Sequence, residues 1–405
     1  MRSMGEKWWV TPLNDFPDVR RDWSIPERVH IHDITLRDGE QTPGVTLTKE
    51  DKIRIAIALD ELGVSRIEAG MPVVSEEDKK ALKELVRQGL RAQVTCLCRA
   101  KKEDIDAALD TEIKAIVTDT LINPKSIKAL FKWSEEEAIQ KYIEIHEYAK
   151  EHGLYVSFMA VDAARADPSF VESAVTQVVK EAKCDSVVIA DTFGMCLPDA
   201  VKLRVKQVRK WVGSGVSIEW HTHNDFGLGV ANYLAAVQAG AEYVHCCVNG
   251  LGERTGNPST EEVALALKLL MGVDTGIKLE KIYEVSKLVA EITRFKPSPT
   301  KAVVGDNQFT FESGLVVYMW KMCEEAGLQL GMLPYLPSLV GRPPVRIVVG
   351  KKSGATSIEY KLKEFNIKLP ESKIAKLVDL VKEEAIKLRR ALSDEEFLNI
   401  VQKLK

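Results

Sequence analysis

The chain has 405 residues, 45% of them hydrophobic and 28% charged, enough for one large domain and a smaller one. Lys and Arg number 56 against 59 Asp and Glu. The formal net charge of −3, with no basic run, argues against nucleic acid or an anionic membrane as partner, and runs such as KAIVTDTLI are too short to span a bilayer.

Residues 1–27 form an N-terminal arm with no apolar core followed by a small-residue cleavage site, so no secretory signal is expected. Its adjacent Trp8 and Trp9 suit an arm that packs on its own body or on a partner subunit. Strand character then begins at Val29–Ile34 and breaks into the polar run Arg37-Asp38-Gly39-Glu40-Gln41. The next segment, TKEDKIRIAIALDELG, predicts a helix with a capping-box-like start at Thr48 and Asp51 and a C-cap at Gly63. Further strands are expected at Arg66–Ala69, Gln93–Leu97, Ala115–Thr118, Tyr155–Met159, Ser186–Ala190, Ser217–Trp220 and Tyr243–Val248, with amphipathic segments between most of them. Eight strand–helix repeats predict an α/β fold, a (β/α)8 TIM barrel over residues 28–275. No GxGxxG follows the first strand, which counts against a dinucleotide fold. After about residue 275 the rhythm changes, and Pro297 and Pro299 end a helix. Residues 276–405 are expected to form a C-terminal linker and a helical and α/β subdomain, with VVGKKSGATS as a glycine-bearing turn.

Seven cysteines, an odd number with no paired CxxC elements, argue against a disulfide framework. Most of them read as small core residues in a reducing cytoplasm.

Chemistry in a parallel barrel collects where the strands end. Arg37, Asp38 and Gln41 follow the first strand, Glu68 ends the second and Arg99 follows the third. Asp191 and Thr192 follow the sixth. The seventh runs into His221, His223, Asn224 and Asp225, and the eighth into a glycine-rich loop, Asn249 to Asn257. Residues two apart on a strand point the same way, so His221 and His223 can face one metal ion. A carboxylate from Asp38 and an amide oxygen from the last loop would complete a set suited to a divalent ion with positions open for substrate. Such a site suits Lewis-acid chemistry on a carbonyl or 2-oxo acid, with Arg37 placed to hold developing negative charge. A structural ion pair with Asp38 or Glu68 is the plainer reading of Arg37, and the two are compatible.

The motifs LRDGEQTPG, IEAGMP, ADTFG, HTHNDFGLGVANYLAAVQAGA and NGLGERTGN resemble the 2-isopropylmalate, homocitrate and citramalate synthase family. It belongs to the metal-dependent superfamily that includes hydroxymethylglutaryl-CoA lyase. The similarity covers residues 28 to about 275 and continues through RIVVGKKSGATSIEYKL. It implies condensation of an acyl-CoA, usually acetyl-CoA, with a 2-oxo acid. It also implies Asp38, His221, His223 and Asn257 as ligands of a divalent ion (Mg, Mn or Zn). Arg37 would stabilise the enolate or ketone oxygen, Thr192 would bind the 2-oxo acid carboxylate, and Glu68 and Gln41 would shape the pocket. Arg99, in CLCRA, looks like the isopropylmalate pattern rather than the Arg-x-His of homocitrate synthases. Tyr335 resembles a tyrosine that the synthases hold near the site in their second domain. A homodimer is implied, and at 405 residues no feedback site of the kind carried by the leucine-sensing domain of the long isopropylmalate synthases is expected.

Three positions depart from the family pattern. Val161 stands where the synthases carry a glutamate after strand 5, and Phe311 and Val316 stand where they carry histidines. Apolar side chains transfer no protons, so the metal half of the site is kept and the acid/base half is altered. The leading expectation is a 2-isopropylmalate-synthase-like acyltransferase. Homocitrate, citramalate or Re-type citrate synthesis, a metal-dependent carbon–carbon lyase or aldolase, and a non-catalytic binding homologue are the alternatives.

Overall fold

Eight parallel strands close into a barrel in sequence order. They are β1 (His30–Asp33), β2 (Arg66–Glu68), β3 (Gln93–Arg99), β4 (Ala115–Leu121), β5 (Tyr155–Val161), β6 (Ser186–Asp191), β7 (Ser217–Thr222) and β8 (Tyr243–Cys246). A helix follows each strand, which confirms the expected TIM barrel. The computed structural model describes residues 4–404. The first three residues of the arm 1–27 and the last residue of 276–405 lie outside the described residues.

Closure comes from β1, which pairs with β2 on one side and with β8 on the other, with Asp33 opposite Cys246. Strands covered on both faces need no polar alternation, and all six residues of β6 are buried. Inward and outward residues still alternate with period two. Leu97, Val117, Met159, Val188 and Ala190 pack together, with Val161 against them. Thr118, one residue from Val117, instead bonds His146 Nε2 at 2.7 Å on the helix Glu135–Glu151.

Local signals explain the helices. Thr48 Oγ1 accepts from the Asp51 amide, and the Asp51 side chain returns to the Thr48 backbone, starting the helix Lys49–Leu62. Gly63 ends it at φ 101°, and a side chain there would strike the Gly276 carbonyl. Proline opens the helices Pro168–Glu181 and Pro198–Val212, where its missing N–H costs nothing.

By contact, the chain divides into residues 13–296 and a second unit of residues 4–12 with 297–404. The change of rhythm near 275 therefore does not coincide with the division. The helix Ile282–Thr293 belongs with the barrel, where Asn249 Nδ2 bonds the Ser286 carbonyl at 2.9 Å. The arm is split as well. Ser24 N bonds the Gln238 carbonyl in the barrel unit at 2.7 Å, while Trp9 N bonds the Pro334 carbonyl in the second unit at 2.9 Å.

In the second unit, β9 (Thr310–Phe311) pairs in parallel with β10 (Arg346–Ile347). The helices Ala355–Glu364, Glu371–Leu388 and Asp394–Leu404 gather around Ile358, Leu377, Val381, Phe397 and Val401. Tyr335 is buried here, edge-on to Phe309 with ring centroids 5.7 Å apart. Phe311 packs on Trp320, their centroids 5.8 Å apart. Of the seven cysteines, all unpaired, five are buried and two half-buried, as small core residues should be. Among the described residues, no helix is long and apolar enough to cross a membrane.

Candidate metal centre and active site

The segment after β1 is held from several sides. Asp33 accepts from Thr35 N at 2.9 Å and from Thr260 Oγ1 at 3.0 Å. Lys52, fully buried, pins Glu40 at 2.7 Å and Asp78 at 2.6 Å. On this fixed turn Arg37 donates through Nε to Glu68, and through NH1 to Asp38 Oδ2 at 2.9 Å and Gln41 Oε1 at 3.1 Å. Burial works against the guanidinium charge, but Glu68 and Asp38 outweigh it and raise its pKa.

β7 supplies the histidines. His221 and His223 lie on one side of the strand, ring centroids 5.1 Å apart, and His223 Nε2 is 3.8 Å from Asp38 Oδ2. Asp38, His221 and His223 bring one potential ligand atom each within 4.8 Å of one another. The loop after β8 adds Asn257, whose Nδ2 donates to Asp38 Oδ1 at 2.8 Å and to the Leu251 carbonyl at 3.1 Å, leaving Oδ1 free. The fit depends on Gly252, with φ 140°. A Cβ there would overlap Asn257 Nδ2 and come within 2.7 Å of Asp38 Oδ1.

Buried polar atoms in folded proteins are nearly always paired. Here Arg37 NH2, Glu68 Oε2, His221 Nδ1, His223 Nδ1 and Asn257 Oδ1 are all buried without a hydrogen-bond partner. Burial, with positive charge from His223, His245 and Arg37, holds His221 well below the usual histidine range. Burial also lowers His223, although Asp38 pulls the other way. Neutral imidazoles beside a carboxylate and an amide oxygen are the donor set a divalent ion needs.

The other expected residues divide. Gln41 and Glu68 meet at Arg37, as described. Thr192, just past β6, accepts from Asp162 N through Oγ1 at 2.9 Å, so its hydroxyl proton is available to another acceptor. Arg99, at the end of β3, is drawn to Asp104 by two hydrogen bonds of 2.8 Å. Asp191, Asn224 and Asp225 shape loops. Asp191 accepts from Met195 N and Cys196 N, both at 2.9 Å; Asn224 accepts from Gly229 N at 3.0 Å; Asp225 accepts from Arg254 Nε at 2.9 Å. Tyr335 belongs to the second unit. Val161 is part of the apolar lining of the barrel.

Sequence reasoning missed a polar layer beneath the site. His32, Glu219 and His245 also place potential ligand atoms within 4.8 Å of one another. Their carboxylate is already engaged, however. Glu219 accepts from Arg66 NH1 at 2.7 Å and Ser157 Oγ at 3.2 Å, and meets His245 Nε2 at 2.8 Å. A cation there would face Arg66, so this trio reads as a structural floor. Its signal was present: HIHD in β1 repeats the HxH spacing, and Glu219 extends the period-two series of His221 and His223.

A closed parallel barrel with this cluster at the C-terminal ends of its strands is a TIM-barrel enzyme in architecture. Residues 28–289 match the HMGL-like family, and the chain belongs to it. The homocitrate synthase AksA of Methanothermobacter thermautotrophicus is 38% identical over 402 residues, 98% of this chain and 98% of that protein. The 2-isopropylmalate synthase of Methanocaldococcus jannaschii is 45% identical over 346 residues, 85% of this chain but 65% of its own length. In fold, an HMG-CoA lyase of Bacillus subtilis superposes with a TM-score of 0.60 at 21% identity, over 68% of this chain and 97% of the lyase.

Proposed function

We propose that the protein is a divalent-metal-dependent acyltransferase that condenses an acyl-CoA, acetyl-CoA by expectation, with a 2-oxo acid, in the manner of a 2-isopropylmalate synthase. The observation that carries this reading is the convergence of Asp38, His221, His223 and the unpaired Asn257 Oδ1 beside the unpaired Arg37 NH2. The four residues would hold the ion, and a bound ion would supply Lewis-acid polarisation of a carbonyl oxygen.

The chain's own groups supply the rest. Arg37 NH2, with the guanidinium fixed by Glu68, Asp38 and Gln41, is free to donate to oxygen as it gains negative charge. Because Thr192 Oγ1 already accepts from Asp162 N, its proton is directed elsewhere, and the 2-oxo acid carboxylate is the acceptor proposed. Arg99 would contribute substrate binding from the β3 side. Tyr335 enters through the family resemblance, and Tyr335→Phe tests whether its hydroxyl matters. A homodimer in the cytoplasm completes the reading.

The test is thiol release from acetyl-CoA with pyruvate, 2-oxoisovalerate, 2-oxoglutarate or oxaloacetate, each with Mg2+, Mn2+ or Zn2+. Turnover with at least one combination is expected. Silence with all of them would defeat the condensation reading and favour carbon–carbon cleavage. In His223→Ala, metal affinity should fall by more than the roughly 10–100-fold typical of changes outside the ligand set. An unchanged metal content would refute the ligand assignment.

A further inference from the structure

The metal-facing groups leave one side of the barrel mouth unused. β3, β4 and β5 form it. Leu97, Val117 and Met159 point into the barrel, with Val161 packed against them, while Thr118 points outward to His146. Period two then puts Asp119 on the same inward face as Val117, one step nearer the mouth. Its register neighbours are Arg99 on β3 and Met159 on β5.

Asp119 is an unusual residue for that lining. It is the one exposed residue in a strand whose other side chains are buried or half-buried. Crowding by protein raises its pKa first of all; Glu68 and Glu253 add to this, and Arg37 and Arg99 oppose it. Among the described residues its carboxylate has no hydrogen bond or ion pair. Each neighbouring guanidinium already faces a carboxylate of its own. Arg99 is held by both oxygens of Asp104, and Arg37 by Glu68 and Asp38. A second carboxylate arriving on this wall would meet an acid and no guanidinium without a carboxylate of its own.

We propose that Asp119 makes the mouth selective against 2-oxo acids that carry a distal carboxylate, and so in favour of 2-oxo acids with a small uncharged side chain. Leu97, Val117, Met159 and Val161 give such a side chain an apolar lining. Like charges a few ångströms apart in a partly desolvated site repel strongly enough to shift binding about tenfold or more. The inference rests on the condensation reading above.

The experiment measures thiol release from acetyl-CoA with Mn2+ present. Pyruvate and 2-oxoisovalerate represent the uncharged class, oxaloacetate and 2-oxoglutarate the dicarboxylic class. In the wild-type protein, kcat/KM for the better uncharged acid should exceed that for the better dicarboxylic acid by about tenfold or more. Asp119→Asn keeps the shape and removes the charge, and should narrow this ratio by about tenfold, through KM of the dicarboxylic acid. Asp119→Ser provides the same comparison if the Asn variant melts early. A wild-type preference for a dicarboxylic acid overturns the inference. An unchanged ratio in both variants, with turnover retained, overturns it too while leaving the condensation reading intact. No thiol release with any of the four acids removes that reading, and this inference with it.

Discussion

His146 and Asp33 are both buried and titrate in opposite senses. Burial brings His146 down to about 4, against 6.5 in the unfolded chain. Below pH 6.5 the unfolded chain takes a proton that the folded chain refuses, so stability falls as pH drops towards 4, by roughly 3 kcal/mol. Burial pushes Asp33 up to about 6 from 3.8. Its contribution is fully present below 3.8 and is lost as pH rises through 6, again by roughly 3 kcal/mol. The two slopes nearly cancel in the intact protein. They can be separated by denaturant unfolding at several pH values. The stability advantage of wild type over His146→Gln should shrink by roughly 3 kcal/mol from pH 7 to pH 4, while its advantage over Asp33→Asn should shrink from pH 4 to pH 7. Parallel pH curves would rule out both assignments.

The loop after β8 illustrates what a strand-and-loop segment contributes beyond its side chains. Gly252 leaves room where Asp38 and Asn257 meet, so Gly252→Ala should cost about 1–3 kcal/mol from the left-handed backbone alone and also displace both side chains. Thermal melts and metal content measured together would test this, and a stable variant with full metal content would refute it. Such a constraint was only partly legible in the sequence. The eight strands, the Thr48 cap and the HxH at His221 and His223 follow from spacing, because period and capping are local. Several site features do not. Arg99 turns to Asp104 and Glu219 is claimed by Arg66, because partners 5 and 153 positions away compete for each charge. Asp119 escaped notice inside an apolar run, although its alternation with Val117 was available. Val161 was legible as an apolar replacement, and the barrel lining accounts for its tolerance there.

The division at residue 296 separates a barrel with its own core from the unit that holds Tyr335, Phe311 and Val316. A chain of residues 13–296 should therefore fold and bind a divalent ion, as read by circular dichroism and by a metal-dependent rise in Tm. A chain that stays unfolded with or without metal would show that the barrel is not autonomous. The closure of β1 on β8 also has a consequence for the order of folding. Asp38 and Asn257 are 219 positions apart and meet only because the last strand of the barrel pairs with the first. Until the ribosome has delivered that final strand, Asp38, His221 and His223 belong to a chain with two open sheet edges, and Asn257 is still to come. Contacts of such long range form late. An ion cannot act as a template for the early barrel. Its arrival instead marks the moment when the ring is complete.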